Sequence, residues 1–456
     1  MGKSVNRGTN IDPRRGHLNA HKRSKRCIKK VHNLPKPALK AESYAPIKTS
    51  KRRNGAKTLK QNKKGQKNKR HGLAPVSKAP VGPIRSGKIC IRGPIYGFSG
   101  YARMTNNLIL GMDQTDHEFW VDPIPWSVQP TIEISDKLKS VLTRRRPCAE
   151  DITRMAGLLA VCLPTDLPSR PIDSNTWNMT IFETTRIPDG WVGILKSNAQ
   201  GEINELAIKG LIVPSRANLS AFDAAPQKKA IVPLAIDYDT FTPDGPTAAL
   251  PYASDFNILM SYHMNSRKNP ELAMKVINEL PADTTVYLKT YGIGMSTWER
   301  DGMRDQLARI LDGKCRVVLL YDLVSDEREA EIYRAMDLVL NVSHGEGWDL
   351  PRCEAYACGT PAIGTLFPAP IEYTIPEFRL INHSLVPCPE IPPFFSSIQK
   401  WAEIDLMDVL AAINQVRENR AMYRELALKQ RDHLIGYTGR LVDMAEKVWK
   451  AAIANG

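Results

Sequence analysis

Residues 343–361 read SHGEGWDLPRCEAYACGTP and form the most informative segment of the sequence. An apolar run typical of a buried strand, residues 338–342, comes directly before it. A glycine-rich turn follows, and then a predicted helix that begins at Pro351 and stops at Gly359, the usual placement of these two residues. The backbone N–H groups at the start of such a helix favour an anion, and we expect a diphosphate there.

Two carboxylates belong to this segment. Glu346 lies in the turn, and Glu354 lies in the predicted helix eight residues later. Because eight residues span slightly more than two helical turns, both carboxylates can line one side of a pocket. Carboxylates beside a phosphate site are suited to accept hydrogen bonds from sugar and ribose hydroxyls. Taken singly, either residue could equally be a solvated charge near a helix end. The complete segment favours the binding interpretation.

Two series of short apolar strands alternate with predicted helices on either side of residue 236. The first series has predicted strands near residues 88–92, 158–163, 179–183, 211–214 and 230–233, and the second near 256–261, 285–289, 316–320 and 338–342. Such alternation predicts an α/β fold with two Rossmann-like domains that face each other, with ligands in the cleft at the carboxyl ends of the strands.

The same patterns give domain boundaries. We assign residues 1–86 to a basic, disordered tail, 87–235 to an N-terminal Rossmann-like domain, and 236–436 to a C-terminal Rossmann-like domain. Residues 437–456 are predicted to form a helix that packs back on the N-terminal domain.

The segment 343–361 resembles the E-x7-E motif of the family-4 retaining glycosyltransferases, which have the GT-B fold. Three further blocks resemble the same family in the expected order. They are the glycine loop in residues 93–103, the stretch Phe182-Glu183-Thr184-Thr185-Arg186-Ile187-Pro188, and Arg267-Lys268-Asn269-Pro270, which is similar to the family's R-K-N motif. The resemblance covers about residues 88–456.

The resemblance implies that residues 87–235 form the acceptor domain and that residues 236–436 form the nucleotide-sugar donor domain. It also implies roles for particular residues. Glu346 would be the catalytic residue near the transferred sugar, Glu354 would hold the donor ribose, and Lys268 with Arg267 would neutralise the leaving diphosphate. The other donor-binding candidates are His263, Gly347, Trp348, Asp349 and Leu350. The glycine-loop candidates are Gly97, Ser99 and Gly100, and the acceptor-side candidates are Glu183, Thr184 and Arg186.

The implied reaction moves a hexose from a UDP- or GDP-linked sugar to a hydroxyl acceptor, with retention of the anomeric configuration. The nucleotide sugar is a co-substrate, and no cofactor or metal is expected because the sequence has no D-x-D in a metal-binding context. Asp349 replaces the glycine usual before Leu-Pro, and His263 lies near a place where the family commonly has Arg. Asp349 either accepts a hydrogen bond from a sugar hydroxyl, which we favour, or repels the diphosphate. In the latter case the alternative is a catalytically weak GT-B body acting as a nucleic-acid-associated structural or interaction module.

The charge of the chain is concentrated at its N-terminus. Residues 1–80 contain 24 Lys or Arg against two acids, a net of +22, which leaves about −7 of the total +15 for residues 81–456. A polyanionic acceptor or scaffold, such as a modified nucleic acid, fits this segment. An anionic membrane surface fits it less well, because residues 1–86 contain one aromatic residue and no amphipathic helical pattern. A nuclear-type localisation signal is a third reading.

The remaining composition favours a soluble, intracellular protein, cytoplasmic or nuclear. The eight cysteines form no C-x-x-C pair, and several lie in apolar runs, as expected for free thiols in a reducing compartment. No apolar run reaches the roughly 20 residues needed to span a bilayer, and the N-terminus lacks the apolar core of a secretory signal.

Overall fold

The fold is seen in a computed structural model that describes residues 31–33, 88–97, 99–124, 134–145, 157–167, 175–200, 208–261, 265–290, 297–320 and 324–454. Its strands are β1 (Val31–Asn33), β2 (Lys88–Gly93), β3 (Glu118–Pro123), β4 (Gly157–Val161), β5 (Thr176–Met179), β6 (Ile208–Val213), β7 (Lys228–Ile231), β8 (Phe256–Ser261), β9 (Thr284–Lys289), β10 (Arg316–Leu320), β11 (Leu338–Asn341), β12 (Ala362–Gly364), β13 (Ser384–Pro387) and β14 (Lys400–Glu403). Its helices are α1 (Gly100–Met112), α2 (Asp136–Arg144), α3 (Asp189–Gln200), α4 (Arg216–Ala221), α5 (Pro270–Glu279), α6 (Thr297–Ile310), α7 (Asp326–Arg334), α8 (Leu350–Ala357), α9 (Leu406–Glu418), α10 (Arg420–Thr438) and α11 (Leu441–Trp449).

Two six-stranded sheets organise the chain. The first has the order β3-β2-β4-β5-β6-β7 and the second the order β1-β10-β9-β8-β11-β12, and neighbouring strands in both are parallel. The prediction of two Rossmann-like domains is therefore confirmed. We call them the N-terminal domain and the C-terminal domain.

The central strands are buried along their length, as expected where helices cover both faces of a parallel sheet. All five residues of β4 and all six of β9 are buried. The helix after the first strand of each domain begins at a side-chain cap, which fixes where it starts. Ser99 Oγ accepts the Ala102 N–H ahead of α1, and Asn269 Oδ1 accepts the Leu272 N–H ahead of α5. These caps place both helix starts at the cleft.

One short strand lies within residues 1–86, the segment that the sequence assigns to the basic tail. Val31–Asn33 forms β1 and pairs in parallel with β10, with Val31 opposite Val317. The edge of a sheet offers unpaired N–H and C=O groups to any extended segment, and these three residues carry no Lys or Arg. The other residues of 1–86 lie outside the described part of the chain.

The C-terminal helices return to the N-terminal domain. Helix α11 packs against α1 so closely that a Cβ on Gly111 would lie 2.2 Å from the Leu441 carbonyl oxygen. Only glycine fits such a contact without a shift of backbone. At the far end of α11 the rings of His117 and Trp449 stack at 4.0 Å.

A hairpin of β13 and β14, which the sequence analysis did not predict, joins the C-terminal domain to the other. The two strands pair antiparallel. The Thr185 N–H donates to the Lys400 carbonyl at 3.2 Å, and the Lys400 N–H donates to Thr185 Oγ1 at 2.9 Å. The hairpin therefore holds the loop after β5 against the C-terminal domain. None of the helices in the described ranges combines the length and apolar composition that crossing a membrane requires.

Candidate active site

Two adjoining cavities lie between the domains, at the carboxyl ends of both sheets. The larger, of about 300 Å³, contains Glu346 and the smaller, of about 130 Å³, contains Glu354. We call them the Glu346 cavity and the Glu354 cavity. Residues shared by both walls are Ser99, Gly100, Ser261, Leu350 and Pro351. The start of α8 thus lies between the two carboxylates, and a helix start is where unpaired backbone N–H groups lie.

Glu346 is surrounded by donors from three places in the C-terminal domain. Lys268 Nζ lies 2.5 Å from Glu346 Oε1, and Arg267 Nη1 lies 3.1 Å from Glu346 Oε2. Ser343 Oγ donates to Glu346 Oε1 at 2.6 Å, and Asn341 Nδ2 donates to the same atom at 3.2 Å. Burial raises the pKa of the Glu346 carboxyl, but Lys268 and Arg267 lower it more, so its pKa lies well below the usual range. Glu346 is therefore ionised at neutral pH.

Glu183, from the N-terminal domain, reaches the same group of charges. Its Oε1 lies 3.6 Å from Arg267 Nη2. Burial raises the pKa of Glu183, Arg267 opposes this effect, and the nearby Glu346 adds to it. Of the acceptor-side candidates, Glu183 is the one that lines the Glu346 cavity.

Glu354 has a different set of partners. Arg103, from the first turn of α1, places Nε 3.2 Å from Glu354 Oε1, and the Tyr333 hydroxyl donates to Glu354 Oε2 at 3.0 Å. Arg103 also forms ion pairs with Asp326 and Glu329, and Lys289 forms an ion pair with Glu329. Three acids thus face two cations.

The protonation of Glu354 follows from this balance. Burial raises its pKa to about 7, an effect that Arg103 opposes and Glu329 reinforces. Burial also raises the pKa of the Tyr333 phenol far above its ordinary value, so Tyr333 remains a hydrogen-bond donor. The surroundings of Glu354 therefore favour its protonated form, whereas those of Glu346 favour the charged form.

The glycines of the turn let the N-terminal domain approach. A Cβ on Gly345 would lie 2.2 Å from the Glu183 carbonyl oxygen, and one on Gly347 would lie 3.1 Å from the Phe182 carbonyl oxygen. Asn218 fixes the contact, since its Nδ2 donates to the Gly347 carbonyl at 2.9 Å and its Oδ1 accepts the Phe182 N–H at 2.7 Å. The backbone after β5 in the N-terminal domain therefore contacts the turn that carries Glu346 in the C-terminal domain.

Most of the other predicted donor-site residues line one of the two cavities. Gly97 and Gly100 line the Glu354 cavity, and Trp348, Asp349 and Leu350 line the Glu346 cavity. Trp348 is nonetheless 1% exposed, with its ring 5.0 Å from that of Tyr373.

Thr184 and Arg186 stabilise the turn after β5. The buried Thr184 hydroxyl donates to the Arg186 carbonyl at 2.9 Å, and the Arg186 guanidinium pairs with Asp189 at the surface at 2.5 Å. The structure does not bring these two side chains to the cavities described here. His263 lies outside the described residues.

Several site residues were missing from the sequence prediction. Arg103 belongs to the glycine block of residues 93–103 but is not among the predicted site residues. Lys289 is the last residue of β9, at the sheet edge where ligands of parallel sheets usually bind. Asn341 is the last residue of β11, and Ser343 is the first residue of the segment 343–361. Glu329 and Tyr333, one helical turn apart on α7, gave no sequence signal.

Comparisons with known proteins agree with this architecture. The chain matches no protein-family model. It is 31% identical over 147 residues to the D-inositol 3-phosphate glycosyltransferase of Xylanimonas cellulosilytica, covering 29% of this chain and 34% of that protein. It is 31% identical over 190 residues to the enzyme of the same name from Mycobacteroides abscessus, covering 41% of this chain and 42% of that protein. The chain therefore spans well under half the length of these curated relatives.

Solved structures extend the similarity to the whole fold. Anabaena HepE in complex with UDP and glucose superposes with a TM-score of 0.54 at 12% identity, over 81% of this chain and 100% of that one. Sucrose-phosphate synthase from Thermosynechococcus elongatus gives a TM-score of 0.54 at 14% identity, with the same coverage. The described chain therefore has the GT-B fold, and the curated proteins that it resembles over part of their length are glycosyltransferases.

Proposed function

We propose that this protein is a retaining glycosyltransferase that moves a hexose from a nucleotide sugar to a hydroxyl acceptor. The observation that carries the proposal is the pair of buried carboxylates, Glu346 and Glu354, in two cavities that meet at the start of α8. A donor with its sugar near Glu346 and its ribose near Glu354 has its diphosphate at that helix start, beside Lys268.

The chemistry follows from these charges. The bond between the sugar C1 and the diphosphate oxygen breaks, and the acceptor oxygen bonds to C1 on the same face. The acceptor's proton passes to the departing phosphate. Lys268, Arg267 and the N–H groups of α8 stabilise the negative charge that develops as the diphosphate leaves. We propose that this array suffices without a metal ion, so turnover should persist in excess chelator.

Glu354 suits a ribose for a related reason. A carboxylate has about four lone-pair positions, and Arg103 and Tyr333 use two of them. Ribose hydroxyls can donate to the others. HepE is described in complex with UDP-glucose, so UDP-glucose is the first donor to test, with GDP-linked sugars as the alternative.

The test is release of nucleoside diphosphate from a panel of UDP- and GDP-sugars, with and without EDTA. Acceptors should include D-inositol 3-phosphate, because the curated relatives carry that name, and hydroxylated nucleic acid. The product's anomeric configuration is read by NMR. Absence of release from every donor would contradict the proposal, and activity that requires added manganese would contradict metal independence.

The charge distribution favours a polyanionic partner for the N-terminal segment. Its net charge of +22 is set against a mildly acidic remainder. If the partner is nucleic acid, the full chain should bind duplex DNA or RNA with an affinity that falls steeply with salt. A chain lacking residues 1–30 retains β1 and serves as a first truncation, and residues 87–456 serve as the second. Both should keep turnover on small acceptors, and the second should lose nucleic-acid binding.

If the full chain binds anionic vesicles but not nucleic acid, the partner is a membrane surface instead. Unchanged nucleic-acid affinity in residues 87–456 would place recognition in the two domains.

A further inference from the structure

Asp349 occupies a backbone conformation that glycine adopts more easily. It precedes α8 with φ of 68° and ψ of 63°, in the left-handed region. Its Oδ2 accepts hydrogen bonds from Arg352 Nε at 2.8 Å and from Asn341 Nδ2 at 3.0 Å. A strained residue held by such contacts beside a cavity points to a functional reason for its presence.

The orientation of the Asn341 amide is fixed by its neighbours. Asn341 Oδ1 accepts the backbone N–H of Ser343 at 3.0 Å, and that group can only donate. The NH₂ group of Asn341 therefore faces the carboxylates. It donates to Asp349 Oδ2 at 3.0 Å and to Glu346 Oε1 at 3.2 Å. One amide thus connects the two buried acids.

The ion pair beneath this amide is almost completely buried. The side chains of Asp349 and Arg352 are each 1% exposed, and Arg352 Nη2 also donates to the Thr365 carbonyl at 3.1 Å. Arg352 neutralises Asp349, which removes the basis for repulsion of a diphosphate. A buried ion pair is weak evidence for stability, because desolvation of both charges opposes their attraction. Its geometric effect is to hold Asp349 where it can anchor Asn341.

We propose that Asp349 and Arg352 are positioning residues, which act through Asn341 to hold the Glu346 carboxylate between Lys268 and the transferred sugar. This inference rests on the proposed glycosyl transfer. It differs from direct contact between Asp349 and a sugar hydroxyl, because positioning affects the turnover rate rather than donor binding.

Two double variants of the full-length chain separate the possibilities. Asp349→Gly with Arg352→Met removes both charges together, so that neither is left buried without a partner, and it suits the left-handed backbone. Asp349→Asn with Arg352→Gln removes the charges but keeps the hydrogen bond between the two side chains, because Gln Nε2 is attached to Cδ just as Arg Nε is. The hydrogen bond from Arg352 Nη2 to the Thr365 carbonyl is lost in both double variants, so it does not distinguish them. Each variant is assayed for thermal stability, for affinity toward the nucleoside diphosphate that the wild type releases, and for kcat and KM.

The glycine–methionine variant should fold and bind nucleoside diphosphate as the wild type does, while kcat falls about 10- to 100-fold because Glu346 is misplaced. The asparagine–glutamine variant should recover most of that loss. Wild-type kcat in both variants would overturn the proposal, as would equal loss of kcat and stability in both. A change in KM alone would indicate direct sugar contact instead. A wild type that releases no nucleoside diphosphate would contradict the proposed function itself.

Discussion

Glu346 and Glu354 are the same residue type, eight positions apart and both buried, yet their surroundings move their pKa values in opposite directions. Glu346 pairs with Lys268 and Arg267, and its pKa lies well below the usual range although burial opposes this. Glu354 shares Arg103 with two other acids, and burial raises its pKa to about 7. The local ratio of cations to acids, rather than burial alone, decides which carboxylate is charged.

This contrast suggests that the two cavities have separate roles, one in the reaction and one in donor binding. The Glu346 cavity carries fixed cations suited to a charge that develops during reaction, whereas the Glu354 cavity offers a carboxylate and a phenol suited to binding hydroxyls. Variants that change the charged residues of either cavity test this assignment of roles.

The largest effect is expected for Lys268→Met, which removes the ammonium beside Glu346 and the proposed diphosphate position. We expect kcat to fall about 10²- to 10³-fold, the range seen when a preorganised group that stabilises transition-state charge is removed. Steady-state kinetics with the active donor measures this loss.

Lys275→Met is the matched control, because Lys275 is exposed on α5 and pairs only locally with Glu271 at 2.7 Å. It should retain wild-type turnover. A Lys268→Met enzyme with unchanged kcat would mean that the Glu346 cavity does not hold the leaving group.

A smaller effect is expected from pH. The raised pKa of Glu354 means that its charge is present above about pH 7 and is lost as the pH falls through that value. Affinity for nucleoside diphosphate should therefore fall as pH decreases, by up to about tenfold per unit below the pKa if only ionised Glu354 binds. Calorimetry between pH 8.5 and 5.5 measures the change.

Glu354→Gln is the control for titration of the ligand's own phosphate, and the excess pH dependence should disappear in it. Arg103 opposes the rise in the pKa of Glu354, while Glu329 and Asp326 reinforce it and Lys289 opposes it. Arg103→Met should accordingly move the midpoint to higher pH. A midpoint that stays in place would show that Arg103 does not govern Glu354.

The smallest effect is expected at Arg186, an acceptor-side candidate that the structure places at the surface. Its guanidinium pairs with Asp189 and is 44% exposed. Arg186→Ala should change the free energy of unfolding by less than about 1 kcal/mol, as is usual for a surface ion pair, and should leave turnover unaltered. Urea unfolding and an acceptor titration measure both quantities. A raised KM for the acceptor in this variant would show that Arg186 contributes to acceptor binding.

The sequence predicted the parts of the site that are encoded locally. The strand, turn and helix around Glu346 and Glu354 follow from a short apolar run, glycines and a proline. The rule for parallel sheets then brings Lys268, after β8, to the same edge as Glu346, after β11.

The missing parts depend on contacts between residues far apart in the chain. Arg103 and Glu354 belong to different domains, and their ion pair depends on how α1 faces α8. The pair of Asp349 with Arg352 is local, but the one-turn spacing gave no sign that both side chains would be buried. Strand β1 was missed because three residues within a basic segment carry too little pattern to predict a strand.

The most direct test of the separate roles of the two carboxylates is a comparison of Glu346→Gln with Glu354→Gln in two assays. One assay is calorimetry with the released nucleoside diphosphate, and the other is steady-state turnover. A lost charge-assisted hydrogen bond is worth about 1.5–3 kcal/mol, or roughly 10- to 150-fold. Glu354→Gln should weaken binding by that factor at pH 8, while Glu346→Gln should lower kcat by at least that factor and bind normally. Equal effects of both variants in both assays, or wild-type behaviour of both, would contradict the assignment of separate roles to the two carboxylates.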